Sequence, residues 1–157
     1  MSVLVMDCHA SDHKYLHRDF HASVDNGIRY VGEHYGDNSV RELLRRYTLA
    51  YHKPLIDAIR RDGLAKMRDY LADIYEKEEA SDALSCTLDD TELTVAVGYC
   101  PGIRYMRSVG TEPSKWYIET TRTVYETIGD AVGVGFELIR YDEQTGRAAF
   151  RFFRRCF

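Results

Sequence analysis

The sequence lacks any long run of apolar residues. Nothing in it approaches the roughly 20 consecutive apolar residues that a membrane-spanning helix needs, so we expect no association with a membrane. The apolar run near the start is interrupted at Asp7 and has no basic flank, which is untypical of a signal peptide. The sequence therefore predicts a cytoplasmic protein.

Paired cysteines and two common active-site motifs are also missing. The four cysteines are scattered without a C-x-x-C pair, which suits a reducing cytoplasm better than a disulfide framework. Gly-x-Ser-x-Gly is absent, so the usual serine-hydrolase signature is excluded. The glycine-containing stretch 129–135 has no following lysine and lies between a predicted helix and a strand, so it is a turn and not a phosphate cradle.

Positive charge is not in excess. The formal net charge is -4, and we expect no nucleic-acid binding because phosphate recognition relies on a surplus of Lys and Arg. With 157 residues, 45% of them hydrophobic, the chain is long enough for one domain, 1–157, with its own core. Tyrosine is abundant: 12 residues against 6 Phe and 1 Trp favour either a polar-lined cavity or a broad protein interface.

Apolar residues at helical spacing predict three N-terminal helices. The first covers 11–35 and ends at Gly36. The second covers 39–61 and begins with an S-x-x-E capping box at Ser39. The third covers 64–79, and the charged stretch 76–79 at its end is predicted to be a solvated face.

Pro54 lies inside the second predicted helix. It cannot donate a backbone hydrogen bond and opposes the carbonyl group of Ala50, so we expect a kink between these residues. The kink either accommodates packing or turns His52 or Tyr51 toward a cavity.

The C-terminal half alternates between strand and helix patterns. Alternation predicts a hairpin around the turn 89–91, with a second strand that ends at Cys100. A short helix follows from Pro101 to about Ser108, and a longer one, capped by Ser114, covers 115–131.

A second hairpin closes the chain, with strands at 134–141 and 147–154. Pairing Tyr141 with Arg147 sets Ile139 against Ala149 and places Glu137 opposite Arg151, an expected ion pair. The predicted fold class is α+β: three helices, a hairpin, a helix pair and a hairpin, which form a four-stranded antiparallel sheet with helices mainly on one face.

Three histidines lie at four-residue spacing on the first helix. His13 and His17 fall on its apolar face and His21 at the edge of that face, so the imidazole rings point inward along one side of the helix. Each ring either packs with a backbone hydrogen bond or contributes to a ligand, catalytic or metal site.

Cys100 is the second candidate for chemistry. A thiol at a helix start feels the positive end of the backbone dipoles, and its pKa can be lowered. The alternative is a small buried residue that ends a strand. If Cys100 and an imidazole converge, the pair has the composition of a thiol hydrolase. Cys8, Cys86 and Cys156 are interpreted as structural.

A metal site is the other possibility for the histidines. His13 and His17, or His17 and His21, could bind a metal as an i, i+4 pair. The acidic ligand that usually accompanies such a pair is not obvious, since Asp19 lies away from the histidines on the helical wheel. We predict no cofactor and keep a metal as a minor alternative.

Four short segments resemble one known family. They are YLHRDFH (15–21), YCP (99–101), ETTR (119–122) and RFF (151–153). In their order along the chain they are similar to the L-2-amino-thiazoline-4-carboxylic acid hydrolase-like proteins. The resemblance extends to the fold of vinyl-4-reductase-like, haem-nitric-oxide-binding and transport-protein-particle domains, and it implies a homodimer with an apolar ligand cavity.

Three functional hypotheses follow. The first is a hydrolase that acts on a C–N bond of a small cyclic or amide substrate, with Cys100 as nucleophile, His17 as base and His21 as its orienting partner. The remaining residues expected to contact the substrate are His13, Tyr117 and Thr121. The second hypothesis is a non-catalytic ligand-binding or sensor domain, and the third is a metal-dependent enzyme that uses His13, His17 and His21.

Overall fold

The computed structural model describes residues 14–155, with side chains described from residue 20 onward. Within that range the chain forms six α-helices and four β-strands. The helices are α1 (Lys14–Tyr35), α2 (Asp37–Tyr51), α3 (Lys53–Asp62), α4 (Ala65–Lys77), α5 (Pro101–Ser108) and α6 (Glu119–Val132). The strands are β1 (Leu84–Leu88), β2 (Glu92–Val97), β3 (Val134–Tyr141) and β4 (Ala148–Arg154).

The strands form one antiparallel sheet in the order β1-β2-β4-β3. Val95 pairs with Phe150 and Leu93 with Phe152, and all four side chains are buried. Because side chains alternate along a strand, the residues between them face the opposite side, which is only partly covered. The α+β fold with helices mainly on one face is therefore confirmed.

The main core lies between the covered face of the sheet and the helices. Tyr125 of α6 packs its ring against Phe136, Phe150 and Phe152 of the sheet. Ile128, one turn further along α6, is fully buried. Burial of an aliphatic or aromatic side chain of this size contributes about 1.5–3 kcal/mol, so this layer fixes α6 and the residues just before it against the sheet.

The predicted kink at Pro54 is a complete break. The second predicted helix is two helices, α2 and α3, which meet at His52. Pro54 has no N–H for the carbonyl group of Ala50 and occupies the first turn of α3, where the missing donor costs least. His52 is buried and lines a cavity, so the second of the two expectations for this region holds.

Two predicted helix starts are wrong. Helix α2 begins at Asp37, because Gly36 with φ of 83° turns the chain within one residue. The hydroxyl group of Ser39 donates to the carbonyl of Tyr35 and forms no capping box. Ser114 does not cap α6 either, since its N–H and hydroxyl group both donate to the buried carboxylate of Asp25.

The register of the second hairpin differs from the prediction by one residue near the turn. Tyr141 pairs with Ala148 and Arg140 with Ala149, so the expected Ile139 to Ala149 pairing is wrong. A bulge at Ile139 absorbs the extra residue. Glu137 and Arg151 pair as predicted, at 2.8 Å between Oε2 and Nε.

No helix in the described part of the chain is both long and apolar enough to cross a bilayer.

Candidate functional site

A cavity of about 210 Å³ is bounded by α1, α2, α4, α6 and the start of α5. Two groups of its lining residues form separate networks. One group, which we call the proton chain, consists of Cys100, Tyr117, His21 and Glu78. The other, the aromatic cluster, consists of Tyr47, Tyr51, His52 and Tyr70.

Cys100 lies where the chain leaves β2 and enters α5. Its N–H donates to the carbonyl group of Thr145, at 2.9 Å. Burial raises the pKa of its thiol, while the neighbouring N–H groups of Ile103 and Gly102 and the hydroxyl group of Tyr117 oppose that rise. The expected lowering of the pKa is therefore wrong, because desolvation outweighs the helix start.

His21 connects the site to a buried carboxylate. Its Nδ1 lies 3.2 Å from the hydroxyl oxygen of Tyr117, and its Nε2 lies 2.6 Å from Oε1 of Glu78. The Glu78 side chain is 2% exposed and that of His21 is 20% exposed. The short distance and low exposure make this the charge-assisted hydrogen bond of the site.

The proton chain can move a proton from sulfur to nitrogen. When Nδ1 of His21 is unprotonated, the Tyr117 hydroxyl donates to it, and the Tyr117 oxygen can then accept the proton of the Cys100 thiol. Burial raises the pKa of Tyr117 well above its ordinary value, so this residue passes protons on without remaining ionised. Two successive transfers produce a thiolate and an imidazolium, and the Glu78 carboxylate stabilises the imidazolium.

The predicted site residues are partly brought together. Cys100, His21 and Tyr117 meet in one network, although Tyr117 stands between the thiol and the imidazole. Thr121 lines the same cavity. His13 and the side chain of His17 lie outside the described residues, so their predicted roles stay predictions.

Glu78 is the functional residue that the sequence analysis misplaced. It was predicted to belong to a solvated face, but it is buried and hydrogen-bonds His21. The helical spacing carried the signal: Glu78 follows Ile74 by four residues, on the side where α4 buries Leu71. The surrounding charges at 76–79 obscured that periodicity.

Two glycines make room for the proton chain. A Cβ atom at Gly102 would overlap the Tyr117 hydroxyl and lie 2.7 Å from Nδ1 of His21. Gly146, in the β3 to β4 turn, has φ of 68°, and a Cβ atom there would overlap Cβ of Cys100. Both positions therefore need glycine for space, a requirement that the sequence alone does not reveal.

The aromatic cluster surrounds an uncharged imidazole. The His52 ring is nearly perpendicular to those of Tyr47, Tyr51 and Tyr70, with centroids 6.2, 5.0 and 5.6 Å away. Burial lowers the pKa of His52 to about 4, so it is neutral at pH 7. The hydroxyl of Tyr70 lies 3.4 Å from its Nδ1, and burial raises the pKa of Tyr70.

Among the described side chains, no group of three His, Cys, Asp or Glu residues is placed to hold a metal ion. Two members of the predicted group, His13 and His17, lie outside those side chains, so the metal hypothesis stays a prediction.

No family model matches the chain, and no curated protein matches it at a significant level.

Proposed function

We propose that the chain is a hydrolase that cleaves a C–N bond of a small cyclic or amide substrate, with Cys100 as the nucleophile. The observation that carries the proposal is that Cys100 lines the same cavity wall as the hydrogen-bonded series Tyr117, His21 and Glu78, with the Tyr117 hydroxyl group near enough to lower the pKa of the Cys100 thiol. A nucleophile, a proton acceptor and a group that orients the acceptor are the three parts of a covalent hydrolase site.

The first half-reaction forms a covalent intermediate. As substrate enters, the Cys100 proton moves through the Tyr117 hydroxyl to Nδ1 of His21, and the thiolate attacks the carbon of the C–N bond. When the tetrahedral intermediate collapses, that bond breaks and the leaving nitrogen receives the proton from His21 through Tyr117. Because burial raises the thiol pKa, the proton leaves sulfur only when a substrate is present to be attacked.

The second half-reaction restores the thiol. Water attacks the thioester carbon and gives its proton to His21, and the carbon–sulfur bond breaks to release a carboxylic acid. The proton then returns from His21 to sulfur through Tyr117. The path therefore serves as base in one step and as acid in the next, and Glu78 stabilises the imidazolium each time it forms.

The proposal assigns the proton acceptor to His21 where the sequence favoured His17. Among the histidines whose side chains the structure describes, His21 is the one whose ring contacts both Tyr117 and Glu78. We further propose that the chain belongs with the L-2-amino-thiazoline-4-carboxylic acid hydrolase-like proteins. Two of the resembling segments contribute to the path, since 15–21 contains His21 and 99–101 contains Cys100.

The test is turnover of a panel of small amides and cyclic amidines, followed by release of ammonia or amine. Cys100→Ser is expected to lower turnover at least about 100-fold, whereas the matched variant Cys86→Ser, in β1, retains it. Unchanged turnover in Cys100→Ser would remove the nucleophile from the scheme.

A non-catalytic ligand-binding domain is the second candidate. It is favoured by the raised thiol pKa and by a cavity lining that is dominated by aromatic rings. Binding of a ring compound that returns unchanged after prolonged incubation, with no adduct on Cys100, would support this function over the first. The homodimer and the cytoplasmic location stay predictions under either function.

A further inference from the structure

The size of the cavity restricts its occupant. An apolar protein cavity of about 150 Å³ is large enough to bind benzene. At about 210 Å³ the present cavity has room for one ring with a small substituent. A haem or a dinucleotide is several times larger than this space, so the cavity suits a small molecule with one or two rings.

The aromatic cluster provides flat surfaces. Tyr47 and Tyr51 lie one turn apart on α2 with their rings stacked, 5.1 Å between centroids and 14° between planes. Tyr70 of α4 and His52 complete the cluster. A planar ring gains dispersion and quadrupole interactions against such faces, in offset or edge-to-face arrangements.

His52 adds one directional group. A neutral imidazole carries one proton, and when the Tyr70 hydroxyl donates to Nδ1 of His52 that proton lies on Nε2. Among the described residues, Nε2 of His52 has no hydrogen-bond partner. This nitrogen atom is also not completely buried. His52 itself is 8% exposed and lines the cavity. An N–H group is thus available to an acceptor on a ligand.

The charges of the lining favour a neutral molecule. Among the described residues that line the cavity, Glu78 is the only carboxylate, and no Lys or Arg is present. A ligand carboxylate would lose its hydration without gaining a counter-charge from these side chains.

We infer that the aromatic cluster binds a flat, uncharged ring that carries a hydrogen-bond acceptor, and that the substrate is a heteroaromatic carboxamide. Its ring packs on Tyr47 and Tyr51, its ring acceptor binds Nε2–H of His52, and its amide carbon faces Cys100. The carboxamide part rests on the proposed function. The ring subsite stands on the aromatic cluster alone.

The experiment compares three probes at pH 7 by calorimetry, using the full chain with Cys100→Ala so that no turnover occurs. Pyridine-3-carboxamide has the ring acceptor, benzamide lacks it, and pyridine-3-carboxylate carries a negative charge. We expect the pyridine amide to bind about tenfold more tightly than either of the others. Equal affinity for pyridine-3-carboxamide and benzamide, or no binding of any probe, would overturn the inference.

Two variants test whether His52 causes the preference for pyridine-3-carboxamide over benzamide. His52→Phe keeps a ring but removes the N–H, so the two amides are expected to bind equally. His34→Phe, at an exposed histidine of α1, is the matched control and retains the preference. If His52→Phe does not fold, Tyr70→Phe replaces it: with the hydroxyl gone, the proton of His52 is free to occupy either nitrogen and the preference falls. If a folded His52→Phe or Tyr70→Phe variant keeps the full preference for pyridine-3-carboxamide, His52 is not its source.

The outcomes separate this inference from the hydrolase. Equal affinity for pyridine-3-carboxamide and benzamide in the Cys100→Ala chain, with hydrolysis by the wild-type chain still dependent on Cys100, overturns the ring subsite alone. A preserved preference, with no carboxamide turned over by the wild-type chain, overturns the hydrolase and leaves the ring subsite in place.

Discussion

The hydroxyl oxygen of Tyr117 lies 3.2 Å from Nδ1 of His21, and the same hydroxyl group interacts with the Cys100 thiol and lowers its pKa. A thiol and an imidazole that are far apart in sequence are thereby connected through a third side chain. The residues come from α1, from the turn before α6 and from the entrance to α5. Four predictions follow from this geometry and from the neighbouring aromatic cluster.

Tyr117→Phe interrupts the proton chain while it keeps the ring. Proton transfer by a positioned group contributes about 10²–10⁴-fold to rate, so we expect turnover to fall by roughly 100-fold with a smaller change in KM. Tyr35→Phe, at an exposed tyrosine, is the control and should leave both constants unchanged. Steady-state kinetics measure the effect, and a Tyr117→Phe variant with wild-type turnover would show that the proton takes another path.

Glu78→Gln keeps the shape of the side chain but removes its charge. A hydrogen bond to a charged group contributes about 1.5–3 kcal/mol, so we expect the free energy of unfolding to fall by roughly 2 kcal/mol. Turnover should fall about tenfold or more, because the imidazolium of His21 loses its counter-charge. Urea unfolding and kinetics provide the two measurements, and Glu76→Gln on the exposed side of α4 is the control. Equal effects of the two substitutions would refute the role of Glu78.

Gly102→Ala inserts a methyl group between Tyr117 and His21. Since this Cβ atom would lie 2.7 Å from Nδ1 of His21 and overlap the Tyr117 hydroxyl, the proton chain must separate. We expect turnover to be lost and stability to fall by about 1–3 kcal/mol from overpacking. Gly27→Ala is the matched control, because its Cβ would meet nothing within 4 Å, and alanine should stabilise α1 by about 0.5–1 kcal/mol. An active Gly102→Ala variant would count against the path.

His52 makes stability depend on pH. Burial lowers its pKa from 6.5 to about 4 in the folded chain, so the unfolded chain binds the proton more tightly between these values. The folded state is therefore favoured fully above pH 6.5 and loses this contribution as the pH falls toward 4. At about 1.36 kcal/mol per unit the loss approaches roughly 3 kcal/mol.

Unfolding free energies at pH 7 and pH 4.5 measure the His52 effect. The decrease should be smaller in His52→Phe than in the wild-type chain, since phenylalanine binds no proton. His34→Phe is again the matched control and should keep the wild-type decrease. The same decrease in all three proteins would exclude His52 as the source.

The sequence predicts the architecture better than the details of packing. Apolar periodicity identifies the helices and both hairpins. Each helix or strand buries one face, so its apolar residues recur with the period of that element. The break at His52 and the bulge at Ile139 depend on how neighbouring segments meet, which local patterns do not encode. The ion pair of Glu137 and Arg151 was predictable because it lies beyond the bulge, where the register is regular again.

The positions of the candidate residues Cys100 and His21 were predictable from the sequence, and their surroundings were less so. Cys100 and His21 were identified by position, at a strand end and on the edge of an apolar face. The pKa of the thiol depends on how tightly α5 and the β3 to β4 turn close around it, so sequence reasoning assigned it the wrong direction. Glu78 was hidden within a charged stretch, where one buried carboxylate resembles its exposed neighbours.

The most direct measurement is to identify the cysteine that reacts with a nitrile analogue of the substrate. Pyridine-3-carbonitrile accepts attack by a thiolate at its nitrile carbon and forms a thioimidate, which peptide mass spectrometry locates in the chain. We expect the adduct on Cys100, slower formation in Tyr117→Phe, and none in Cys100→Ala. A chain that binds pyridine-3-carboxamide but forms no adduct at Cys100, or reacts equally at Cys86, would contradict the assignment of Cys100 as the nucleophile.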